Sequence, residues 1–95
     1  MNLRQTRRAL RTGALVLEQN GEIKAKSEFQ RKRLTEALSM AKIYLEGTTV
    51  VELGEALGVT SERVAQVVRL GINYMTEAGW LRPVRGAARS LPRRS

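Results

Sequence analysis

Apolar residues along this chain recur at helical spacing over most of its length, and turn residues separate the runs. Leu34, Leu38, Ala41 and Leu45 fall at i, i+4, i+7 and i+11, one face of a helix that ends at Glu46-Gly47. Its start is signalled by Ser27-Glu28-Phe29-Gln30, a capping-box form in which the hydroxyl covers an orphan amide and Gln30 reaches back. A second stripe, Val64, Val67, Val68, Ile72 and Met75, predicts a helix with Thr60 or Ser61 as N-cap and a break at Ala78-Gly79. Gly71 lies on this stripe, where a missing side chain lets a neighbouring helix come close. Between the two stripes a short helix is predicted over 49–57. Ahead of them, Leu3, Leu10, Ala14 and Leu17 predict a first helix over 3–19, with Gly13 inside it and Asn20-Gly21 as its stop. Residues 80–86 read as one extended strand, which Pro83 confines to an edge, and Trp80 as a core plug. The expectation is an all-α fold: a small helical bundle in one domain over 1–86, with a vestigial C-terminal wing strand. Residues 87–95 are expected to form a flexible basic tail.

The stretch Glu52-Leu53-Gly54-Glu55-Ala56-Leu57-Gly58-Val59-Thr60-Ser61 meets the local demands of a helix-turn-helix. Two helices that cross steeply through a three-residue turn need a residue tolerant of positive φ, and Gly58 supplies it. The first helix needs a small residue under the crossing, and Gly54 stands four residues earlier. Leu53, Leu57, Val59, Val64 and Val67 are placed to lock the pair to the body. What remains on the second helix is a mostly hydrogen-bonding set, Thr60, Ser61, Glu62, Arg63, Ala65, Gln66 and Arg69, the equipment for base edges and phosphates. A plain helical hairpin with a glycine turn shares some of these features, but the joint match of small residue, glycine turn, five apolar locks and polar face is much rarer by chance.

Charge strengthens the nucleic-acid reading. The net charge is +8, and its placement matters more than its size. Arg4, Arg7, Arg8 and Arg11 precede the first acid, while Arg82, Arg85, Arg89, Arg93 and Arg94 follow the last; the segment between holds eight basic residues against nine acids. Basic arms around a near-neutral body are the footprint of a polyanion binder. A second cluster, Lys24, Lys26, Arg31, Lys32 and Arg33, is placed either to brace the phosphate backbone or simply as a solvated helix face.

Other chemistry is scarce. Cysteine and histidine are absent, which removes disulfides, thiol nucleophiles, zinc fingers and histidine-based triads. Glu52, Glu55 and Glu62 lie at helix starts, where the macrodipole favours acids. No phosphate loop or nucleophile elbow is present, so no enzyme and no cofactor are expected. No run approaches the ~20 apolar residues of a membrane span, and the apolar stretch Gly13 to Leu17 is short for a signal peptide. A cytoplasmic protein is expected.

The segment 34–75, through Tyr44-Leu45-Glu46-Gly47 and Val51-Glu52-Leu53-Gly54-Glu55-Ala56-Leu57-Gly58-Val59-Thr60-Ser61-Glu62-Arg63-Val64-Ala65-Gln66-Val67, resembles region 4 of bacterial sigma factors and related response-regulator output domains. The resemblance implies a recognition helix in the major groove, with Ser61, Glu62, Arg63, Gln66 and Arg69 as contacts. Sigma-type recognition helices often carry arginine where Ser61 and Ala65 stand here, and the other sigma regions have no room in this chain. The segment 75–86 is similar to the passage from recognition helix to wing in winged-helix regulators, though no second strand follows it. That resemblance implies Arg82, Arg85 and Arg89 on the backbone or in the minor groove.

The function expected is a sequence-specific, DNA-binding transcriptional regulator of bacterial or phage type. Its recognition helix, 61–69, would lie in the major groove, with Arg31, Lys32 and the basic ends on phosphates. Arg63 and Arg69 would read guanine or phosphate and Gln66 adenine. Double-stranded DNA is the expected partner and a homodimer one expected form, with the first helix as its interface. Two alternatives are a modulator of transcription that binds RNA polymerase, and a packaging or architectural protein with little sequence preference.

Overall fold

The computed structural model describes residues 2–84. Four helices and two short strands follow one another as α1 (Leu3–Thr12), β1 (Leu15–Leu17), α2 (Glu28–Leu45), α3 (Val50–Leu57), α4 (Ser61–Glu77) and β2 (Leu81–Pro83). The fold is the expected small helical bundle, with a two-stranded ribbon added. The tail at 87–95, together with Arg85, Arg89, Arg93 and Arg94, lies outside the described residues.

Each helix begins on a polar side chain that covers an orphan amide. Asn2 and Gln5 form a reciprocal capping box on α1, and Thr49 and Glu52 form another on α3. Ser27 caps α2 by accepting from the Gln30 amide, but Gln30 reaches back one residue further than the motif requires, to the Lys26 amide at 2.6 Å. Thr60 caps α4.

The centre of the bundle is the contact between α2 and α4. Ala37 and Ala41 face Gly71 across it: a Cβ on Gly71 would lie 2.8 Å from the Ala37 carbonyl carbon and 2.9 Å from the Ala41 Cβ. The missing side chain sets the helix separation, and Leu38, Tyr44, Val64, Val68, Ile72 and Met75 fill the core around it. Leu3 and Leu10 bring α1 onto this core. Arg7 stacks its guanidinium 4.7 Å from the centre of the buried Tyr44 ring, which ties α1 to the second half of α2.

The first helix ends well before Gln19. Gly13 takes φ +86°, its amide closes the last turn on Ala9 and Leu10, and the chain turns into β1. Leu15, Val16 and Leu17 then pair antiparallel with Pro83, Arg82 and Leu81. The strand after α4 therefore finds its partner upstream of α2, not in a following hairpin. Trp80 holds the ribbon to the bundle. It is 1% exposed, its indole N–H donates to the Asn20 carbonyl at 2.6 Å, and its ring meets Tyr74 edge-on at 5.5 Å. The core role expected of Trp80 holds, and Ala14, expected on the apolar stripe of α1, is exposed in the connection to β1.

Candidate nucleic-acid interface

The crossing of α3 and α4 is built as the sequence suggests. Gly58 ends α3 at φ +74°. A Cβ on Gly54 would come within 2.7 Å of the Val59 carbonyl oxygen and 3.3 Å of the Ser61 amide nitrogen, so only glycine lets α4 start this close to α3. Two of the five expected locks differ. Leu53 and Val64 are buried and Val67 is half-buried, but Leu57 is 56% and Val59 43% exposed. The reason is packing: α3 lies against α4 rather than against α2, and residues 55–60 at its C-terminal end and turn are all exposed.

Along α4 the buried residues are Val64, Val68, Gly71, Ile72 and Met75. The opposite stripe, Glu62, Gln66, Arg69 and Asn73, recurs at i, i+4, i+7 and i+11 and is exposed throughout. It puts two amides, one carboxylate and one guanidinium on one outward line. Asn73 extends the line beyond the expected recognition segment, and the spacing alone identifies it. Ser61 is half-buried beside Gly54, so it borders this face instead of standing on it. The Thr60 hydroxyl accepts from the Arg63 amide at 3.1 Å, which makes it first of all a cap; its own O–H is left to donate.

Arg63 and Gln66 also line a cleft of about 540 Å³ between α4 and the start of α2, with Phe29, Arg33, Glu36, Val67 and Leu70. The α2 cation brought to α4 is thus Arg33. Arg31 donates to the Ile23 carbonyl at 3.2 Å and steadies the segment before α2. Lys32, about 100° of helix away from Arg33, is exposed outside this cleft. Arg82 lies on the ribbon and pairs with Glu18 at 3.1 Å, the two side chains 49% and 70% exposed. The eleven expected contact residues therefore divide: Thr60, Ser61, Glu62, Arg63, Gln66 and Arg69 stand together, Arg31, Lys32 and Arg82 stand apart, and Arg85 and Arg89 lie outside the described residues.

Charge is uneven across these parts. The motif from Thr49 to Glu77 holds two arginines against four glutamates. By contrast, α1 holds four arginines and no acid, and residues 24–33 hold five cations against Glu28. Glu18 with Arg82 is the sole ion pair among the described residues, so Arg33, Arg63 and Arg69 have no carboxylate within pairing distance there. On α1, Arg4, Arg8 and Arg11 share one exposed line.

Among the described residues no three His, Cys, Asp or Glu side chains gather to hold a metal, and no helix is long and apolar enough to cross a membrane. Comparison with protein-family models, with curated proteins and with solved structures finds no match to this chain.

Proposed function

We propose that this chain is a sequence-specific, double-stranded-DNA-binding transcriptional regulator, without enzymatic activity, working in a bacterial or phage-infected cytoplasm. The observation that carries the reading is the Gly54–Gly58 crossing, which leaves Glu62, Gln66 and Arg69 on one outward line of α4. A helix so presented fits the major groove: Gln66 reads adenine, Arg63 and Arg69 reach guanine or phosphate, and Glu62 accepts from cytosine. The arginines of α1 and of the C-terminal segment neutralise phosphates and make affinity salt-dependent. A homodimer would double the base pairs read by so short a helix.

Selection of bound duplexes from random DNA tests this reading, followed by competition at physiological salt. Gln66→Ala should relax the sequence preference, whereas Arg93→Ala should weaken all sequences alike. Equal loss of discrimination in both would end this division of labour. Binding with a steep salt slope and no preference would instead support an architectural protein.

One observation favours a second reading, a modulator that binds RNA polymerase. The motif itself is net acidic, and Val51, Leu57 and Val59 expose apolar surface on α3 and the turn. A stable complex with polymerase, and none with free DNA, would favour it.

A further inference from the structure

Phe29 is 71% exposed, more than any other large apolar side chain among the described residues. It stands on the first turn of α2, where a polar side chain would leave the helix equally well packed. Its side chain lines two clefts. One is shared with Lys26, Arg33 and Leu70, the other with Arg33, Glu36, Arg63 and Gln66. The ring thus sits among three cations and one acid, none of them in an ion pair among the described residues.

This setting selects among partners. A membrane surface calls for a continuous apolar face, and around Phe29 the half-buried Val67 and Leu70 are interrupted by Lys26, Arg33, Glu36 and Arg63. The centre of a protein interface is a contiguous apolar patch depleted in lysine and glutamate, and Lys26 and Glu36 stand beside Phe29. A DNA duplex suits both features, because thymine offers a methyl group in the major groove beside phosphates that attract arginine. It also answers the acidity of the helix-turn-helix: cations to seat α4 on a polyanion must come from neighbouring elements, and Arg33 is the nearest supplied by α2.

We propose that the start of α2 is the second part of the DNA-reading surface: Phe29 packs on the 5-methyl group of a thymine, and Arg33 holds a phosphate of the same duplex. This rests on the DNA-reading function proposed above. It adds a position of sequence preference that α4 does not supply.

The test uses the full chain and the duplex it selects from random DNA. Wild type, Phe29→Ala and Arg33→Gln are titrated by fluorescence anisotropy at two salt concentrations, with each thymine replaced in turn by deoxyuridine. Both substitutions are on exposed helix surface, and thermal melts confirm folding. For wild type, one replacement should weaken binding about fourfold, the worth of one buried methyl. Phe29→Ala should bind the thymine duplex at least that much more weakly and be indifferent to deoxyuridine at that position. Arg33→Gln should weaken all duplexes alike and lower the salt slope by about one.

Wild-type affinity in both variants would overturn the proposal. So would a Phe29→Ala protein that keeps full sensitivity to deoxyuridine at every position, or one whose only change is from dimer to monomer in sedimentation. In those cases the reading of α4 survives if Gln66→Ala still relaxes preference. If wild type selects no duplex at all, the DNA-reading function fails and this inference with it.

Discussion

At Gly71 one added methyl group has nowhere to go. The atoms it would meet are the backbone of Ala37 and the Cβ of Ala41, neither the free end of a flexible side chain. Gly71→Ala should therefore cost about 2–3 kcal/mol as an overpacked core. Gly54→Ala meets the Val59 carbonyl and should cost about 1–3 kcal/mol. Gly58→Ala meets open space, so only its positive φ resists the change, at roughly 1–2 kcal/mol. Urea midpoints with an unchanged slope measure all three. A Gly71→Ala protein as stable as wild type would show that α2 and α4 do not pack as closely as described.

At the level of elements, the caps separate stability from binding. Thr49→Ala and Thr60→Ala each remove an N-cap and should each cost about 1 kcal/mol. Only Thr60→Ala should also lower DNA affinity, since Thr49 opens α3 and Thr60 opens the helix proposed to enter the groove; equal affinities would remove Thr60 from the contact surface. The same caps explain what the sequence revealed. Ser27, Thr49, Thr60, Gly47, Gly58 and Gly79 are local signals that act within a turn of themselves, and α2, α3 and α4 begin and end beside these signals. The end of α1 was less legible. Leu10, Ala14 and Leu17 keep helical spacing through Gly13, and only pairing with residues 81–83, far along the chain, makes Leu15–Leu17 a strand. The site followed the same rule. The outward line on α4 is a property of one helix and can be counted along the sequence. That Arg33, not Lys32, meets Arg63 depends on how α2 and α4 rotate against each other. The exposure of Leu57 and Val59 likewise depends on which helix α3 leans on.

For the molecule as a whole, positive charge is concentrated away from the α3–α4 crossing. The motif is net acidic while α1 and the C-terminal segment are arginine-rich. Removal of 85–95, with Arg85, Arg89, Arg93 and Arg94, should lower the salt slope of DNA binding by up to about three to four. The ranking of preferred sequences should stay the same, and a changed ranking would mean that this segment reads bases. A two-fold dimer through the outer face of α1 would set Arg4, Arg8 and Arg11 against their own copies, so dimerisation by that face should be weakest at low salt. By contrast, the Arg82–Glu18 pair is exposed, and Glu18→Gln should change stability by no more than about 0.5 kcal/mol.

Trp80 gives the molecule an optical reporter of its own. It is the sole tryptophan, it is enclosed, and its indole N–H donates to Asn20 while its carbonyl accepts from the Glu18 amide, which ties the segment before α2 to the end of α4. Its emission should be blue-shifted and shielded from soluble quenchers in the native state. A red shift should mark the moment the ribbon leaves the bundle. Followed beside far-ultraviolet circular dichroism, which weighs the helices, the two signals coincide if ribbon and bundle melt as one unit. If the ribbon opens first, the fluorescence transition comes at lower denaturant, and the gap measures the stability of this small sheet by itself.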